Sequence, residues 1–127
     1  MLKRKRKTLV NFKKGKKYIA NLSGKKAFVI GVLFALVFEG ISCLFRFGFG
    51  LESTRDTAFM APLTFGIRIH HGYMGLLLFL PLSFRKRREW VNLGVIIGTG
   101  LLLSDLIHHF IILWLFIGSP EFHWVYF

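Results

Sequence analysis

A single cysteine, Cys43, stands in a chain of 127 residues, so no intrachain disulfide can form and cysteine usage does not reveal the redox compartment. The motifs of nucleotide and nucleophilic chemistry are missing too. There is no Gly-rich phosphate loop, no Gly-x-Ser-x-Gly elbow and no Ser-His-Asp set. Ser104 adjoins Asp105, but on a helix the two diverge by about 100°, which excludes it as a nucleophile activated there. Acidic residues number only six, and none lies in residues 1–26. A cleavable leader is not expected: the basic region is too long, Glu39 interrupts the apolar stretch behind it, and no small-x-small site follows. Gly40-Ile41-Ser42-Cys43 departs from a lipoprotein box at its first position. Internal repeats are absent.

What is present is apolar surface and segregated positive charge. Hydrophobic residues make up 54% of the chain, with 15 Phe and a mean hydropathy of +0.53, more than a soluble domain of this size can cover with polar groups. Eleven of the eighteen Lys and Arg fall in residues 1–26. A basic tail on an apolar body is the pattern of a membrane protein facing an anionic leaflet. The expected fold is all-α: a three-span transmembrane helical bundle over residues 27–127, preceded by a disordered basic cytoplasmic tail over 1–26.

The expected spans are about 27–47, 65–84 and 90–117, each near the ~20 residues that a helix needs to cross hydrocarbon. Pro62 interrupts the approach to the second, and 58–64 reads as an interfacial lead-in, with a re-entrant segment over 58–67 as the alternative. Orientation follows from short basic flanks. The tail and Arg85-Lys86-Arg87-Arg88 share one side of a three-span chain, whereas the opposite loop, Leu51 to Asp56, is nearly neutral. The N-terminus is therefore expected in the cytoplasm and the C-terminus across the membrane. Trp90 at one end of the third span, with Trp124 and Tyr126 beyond the other, fits aromatic anchoring.

Polar residues fall on one stripe per span. Glu39, Ser42, Cys43 and Arg46 repeat at i, i+3, i+4 and i+7. In the second span Arg68, His71, Gly72 and Gly75 share a face, which points His70 the other way. In the third, Gly94, Gly98, Asp105, His108 and His109 lie within one arc. The rise of ~1.5 Å per residue puts all the charged members in the outer half. Because intramembrane ionisable groups face one another or a wet cavity, the stripes are expected to meet in one cluster of Glu39, Arg68, His71, Asp105, His108 and His109.

Three chemistries compete for that cluster. A structural network would pair Glu39 and Asp105 with Arg46 and Arg68 and fix which helices meet. A metal site would draw on Glu39, His71, Asp105, His108 and His109, with Cys43, Glu121 or His123 as further donors; imidazole plus carboxylate suits zinc or iron. Haem b, ranked behind both, would take axial histidines from His71, His108 and His109 and pair the propionates with Arg46 or Arg68. The function expected is a binding or structural subunit, with a membrane-embedded metal-dependent enzyme acting at the outer leaflet as the alternative. Expected partners are membrane lipids, anionic head groups at the tail above all, and a homo-oligomer or larger membrane complex. Nucleic acid is not expected, since Phe12 and Tyr18 are the tail's only aromatics.

Overall fold

The computed structural model describes residues 2–126, with side chains described from Asn11 onward. Five helices carry the fold: α1 (Leu2–Asn21), α2 (Gly24–Gly48), a short α3 (Ser53–Asp56), α4 (His71–Ser83) and α5 (Arg88–Ile117). The described residues form no strand, and a lone antiparallel bridge joins Ile67 to Val125.

The basic segment is helical, which corrects the expectation of disorder. Its lysines, arginines and leucines are good helix formers, and its end is anchored. Buried Asn92 on α5 donates through Nδ2 to the carbonyls of Ile19 (2.7 Å) and Leu22 (3.0 Å), at the end of α1. Lys16 Nζ lies 3.5 Å from Glu89. Composition alone did not anticipate this docking site. Ser23 then opens α2 as its N-cap, its hydroxyl accepting from the Lys26 amide at 3.3 Å.

α2 and α5 run parallel, since Gly31 meets Thr99 and, further along, Glu39 meets Ser104 and His108. α4 runs antiparallel against α5, from Gly72 beside Asp105 to Leu82 beside Gly94. The small-xxx-small pair Gly94 and Gly98 faces α4, on the same side as Asp105. A Cβ on Gly98 would come within 2.7 Å of the Cβ of Phe79 and 3.1 Å of the Gly75 carbonyl, so only glycine lets the backbones approach this closely.

Two helices, α2 and α5, are long and apolar enough to cross a membrane. The expected helix over 65–84 is not formed as such. α4 has 13 residues, about 20 Å. Positive φ at Phe65 (54°) and Gly66 (79°) turns the chain before it, and His70, the residue preceding α4, is extended (φ −82°, ψ 142°). In an extended strand alternate residues share a side. Ile67 and Ile69 are each 53% exposed, whereas Arg68 and His70 are 3% and 4% exposed. The alternation Gly-Ile-Arg-Ile-His is a period-2 signal that outweighs the helical one. Both long helices also contain a π turn, at Leu44–Gly48 and His108–Leu113, a distortion frequent at functional sites.

Candidate metal centre

The buried side chains invert the usual pattern. Among the described residues the buried polar and charged groups (Glu39, Arg68, His70, Asn92, Ser104, Asp105 and His109) outnumber the buried hydrophobic ones, while Phe28, Leu33, Val37, Leu77 and Leu115 are exposed. His108 and His109 diverge around α5, and each serves a different neighbour. The single expected cluster is in fact two.

The first lies between α2 and α5. Glu39 Oε1 accepts from Cys43 Sγ (3.1 Å) and lies 2.8 Å from His108 Nδ1, while Oε2 accepts from Ser104 Oγ at 3.2 Å. Both carboxylate oxygens are therefore partnered. Glu39, Cys43 and His108 are close enough to hold an ion, but their hydrogen bonds already satisfy one another.

The second lies between α5 and the start of α4. His70 Nδ1 is 3.2 Å from His109 Nε2, and Asp105 Oδ1 is 3.6 Å from the former and 3.8 Å from the latter. The other nitrogen of each ring is committed. His70 Nε2 stands 3.1 Å from the His123 carbonyl, and His109 Nδ1 stands 2.7 Å from that of Pro120. A carbonyl only accepts, so those two nitrogens carry the protons. The inner nitrogens of neutral imidazoles then present lone pairs to each other and to a carboxylate oxygen that has no hydrogen-bond partner among the described residues. Three potential ligand atoms thus converge, the two ring nitrogens at hydrogen-bond distance from each other.

The C-terminal segment holds these rings in place. Gly118, with φ 78°, ends α5 and turns the chain back. Phe122 stacks on His70 with ring centres 4.3 Å apart, and the amides of Arg68 and Tyr126 bond to the carbonyls of Trp124 and Gly66, both at 3.0 Å. Glu121 returns to hold Arg46, at 3.0 and 3.1 Å from its Nη2. The expected pairing of Arg46 and Arg68 with Glu39 and Asp105 is thereby corrected. Arg46 takes Glu121 and, at 3.8 Å, Glu52, while Arg68 donates to the Glu121 carbonyl (3.2 Å) and the Ser53 hydroxyl (3.0 Å).

No protein-family model, curated protein or solved structure matches the chain.

Of the residues expected to act together, the structure gathers Asp105 and His109 in the second group and Glu39 and His108 in the first. His71 lies between them. Its Nδ1 is 3.3 Å from Asp105 Oδ1 and its ring 5.2 Å from that of Phe38, while Nε2 is buried without a partner among the described residues. His70 was the residue turned away by helical geometry, and it becomes a donor because position 70 is extended. The second group and, from the first, His108 border a cavity of about 280 Å³ whose wall includes Arg46, Ser53, Arg68, His71 and Glu121. At the cavity's exposed rim Arg55 and Asp56 form an ion pair at 2.9 Å. This contact and the Glu52 amide hold the Asp56 carboxyl below its usual range.

Proposed function

We propose that this protein is a small polytopic membrane protein that holds a divalent transition metal, zinc or iron, on His70, Asp105 and His109. The convergence of two imidazole lone pairs and an unpartnered carboxylate oxygen carries this reading. Bonds of about 2.0–2.2 Å at tetrahedral angles set neighbouring ligand atoms roughly 3.3–3.6 Å apart, and the observed separations are 3.2, 3.6 and 3.8 Å. The backbone carbonyls on the outer ring nitrogens are the supporting contacts that metal-bound histidines use. The spacing favours an ion over haem b, because a porphyrin between His70 and His109 would have to separate rings already in contact. Three protein ligands and a side open to a cavity also form the arrangement of catalytic zinc sites. This supports the second reading, a metal-dependent enzyme working at the outer leaflet.

The membrane assignment rests on the inverted burial together with the two long apolar helices. We read α2 and α5 as full spans and the middle crossing as a composite. Thirteen helical residues plus four extended ones, 67–70, reach roughly 33 Å, against ~30 Å of hydrocarbon. Non-helical backbone at that depth is tolerated where protein buries it, and the pairing of 66–68 with 124–126 supplies its hydrogen bonds. α1 and the 85–88 turn then share the cytoplasmic end and face anionic lipid.

The test is purification of the full chain in mild detergent, with elemental analysis and a visible spectrum on one sample. Zinc or iron near one per chain, reduced to background in His70→Ala and His109→Ala, is the expected result. A Soret band would move the assignment to haem. Protein that emerges metal-free and takes up neither ion on dialysis would overturn the metal reading.

A further inference from the structure

Arg68 is 3% exposed, and among the described residues no carboxylate lies within ion-pair distance of it. Its guanidinium has five N–H donors, and the contacts seen are with two neutral acceptors, the Glu121 carbonyl and the Ser53 hydroxyl. A buried charge without an opposite charge is costly. The other arginines at this cavity do have carboxylates beside them: Glu52 and Glu121 at Arg46 and Asp56 at Arg55, while Asp105 faces the histidines. Arg46 and Arg55 thus each face a carboxylate, and among the described residues Arg68 does not. The extended backbone of 67–70 turns Arg68 to the same side as His70, and Arg68, His70, Asp105 and His109 all line one cavity of about 280 Å³.

We propose that this cavity takes a phosphate-type oxyanion, seated between the Arg68 guanidinium and the ion on His70, Asp105 and His109. The inference rests on the metal reading above and names the ligand class of that same site. A planar fork of donors on one side and a metal with an open position on the other match a tetrahedral oxyanion, which offers oxygens to both. The phosphate is either a lipid head group or a soluble ion. The chemistry is shared, and the source is a separate outcome.

The experiment titrates the zinc-loaded full chain in detergent, by calorimetry, with inorganic phosphate and with micelles carrying phosphatidic acid or, as control, phosphatidylcholine. Saturable binding is expected for phosphate or phosphatidic acid and not for the control. Tighter binding of the micellar ligand would assign the lipid source, and equal or tighter binding of the inorganic ion the soluble one. Arg68→Gln should weaken binding at least tenfold at unchanged zinc content, with Arg68→Lys in between. Wild-type protein that is zinc-loaded yet binds neither phosphate ligand, or Arg68→Gln that binds as wild type does, would overturn the proposal. Should Arg68→Gln not fold, the wild-type titrations and Arg68→Lys decide it. Failure of zinc to load counts against the metal reading. Phosphate titration of the zinc-free protein then tests Arg68 alone, weaker binding supporting its role and none overturning it.

Discussion

The two polar groups on α5 use similar residues and reach opposite electrostatic states. On the α2 side, a carboxylate meets a thiol, a hydroxyl and an imidazole that can each give it a hydrogen, and the group closes on itself. On the α4 side, a carboxylate meets two imidazoles whose outer nitrogens face the carbonyls of Pro120 and His123, which leaves the inner nitrogens toward Asp105, the group proposed above to hold the metal. One histidine pair, His108-His109, supplies both. The difference lies in the neighbours: side-chain donors crowd Glu39, whereas backbone acceptors behind His70 and His109 dictate which ring nitrogen is bare.

The largest separation should come from neutralising each acid. Asp105→Asn keeps the shape of its side chain and removes the anionic ligand, so bound metal should fall from about one per chain to background while the protein still folds. Glu39→Ala leaves His108, Cys43 and Ser104 without their acceptor in a buried site, and breaking such a group costs about 3–5 kcal/mol. The protein that does fold should keep its metal. Metal per chain and thermal unfolding, read on the same detergent-purified samples, check both. The reverse pattern would exchange the roles of the two groups.

Acid should divide them next. Metal and proton compete for the same imidazole lone pairs, so affinity falls as the pH drops. Two histidine ligands give a slope approaching two protons per metal. The Glu39–His108 contact requires only the Nδ1 hydrogen, which neutral and charged rings both carry, so the fold should outlast the metal. Metal retention measured at steps from pH 8 to 5, with helicity followed by circular dichroism, reports the two separately.

Much of this contrast was legible in the sequence, and the rest failed for identifiable reasons. The long helices found at Gly24–Gly48 and Arg88–Ile117 were expected at 27–47 and 90–117, since long apolar runs leave little choice. The inward polar stripe on α5 and the Gly94–Gly98 face toward α4 followed from helical periodicity. His70 did not, because the helical rule was carried back from α4 to 65–70. The alternating Ile-Arg-Ile-His was the available sign of extended backbone there. Pairing every acid with an arginine ignored the chain beyond α5, where Glu121 folds back to take Arg46. The docking of the basic helix depends on Asn92, some seventy residues distant, and no local property encodes that.

Close packing offers a smaller test. A Cβ on Gly72 would lie 2.7 Å from Asp105 Oδ2, and one on Gly31 would lie 2.9 Å from the Cβ of Thr99. Both Gly72→Ala and Gly31→Ala overpack a helix contact, at about 1–3 kcal/mol. The first also displaces a metal ligand and the second does not. Similar losses of unfolding temperature with metal affinity reduced only in Gly72→Ala would place the ion on the α4 side.

The smallest expected effect is the most exacting for the comparison. Cys43 is the softest donor in the chain, and transition metals favour thiolates, so a metal on the α2 side would be held there with Glu39 and His108. In the closed network the thiol merely donates to Glu39 Oε1 at 3.1 Å, a role a serine hydroxyl also fills. Cys43→Ser should therefore change stability by no more than about 1 kcal/mol and leave the metal content at one per chain. Loss of metal in this variant would move the site across α5, because a hydroxyl replaces a thiol as a hydrogen-bond donor far better than as a ligand.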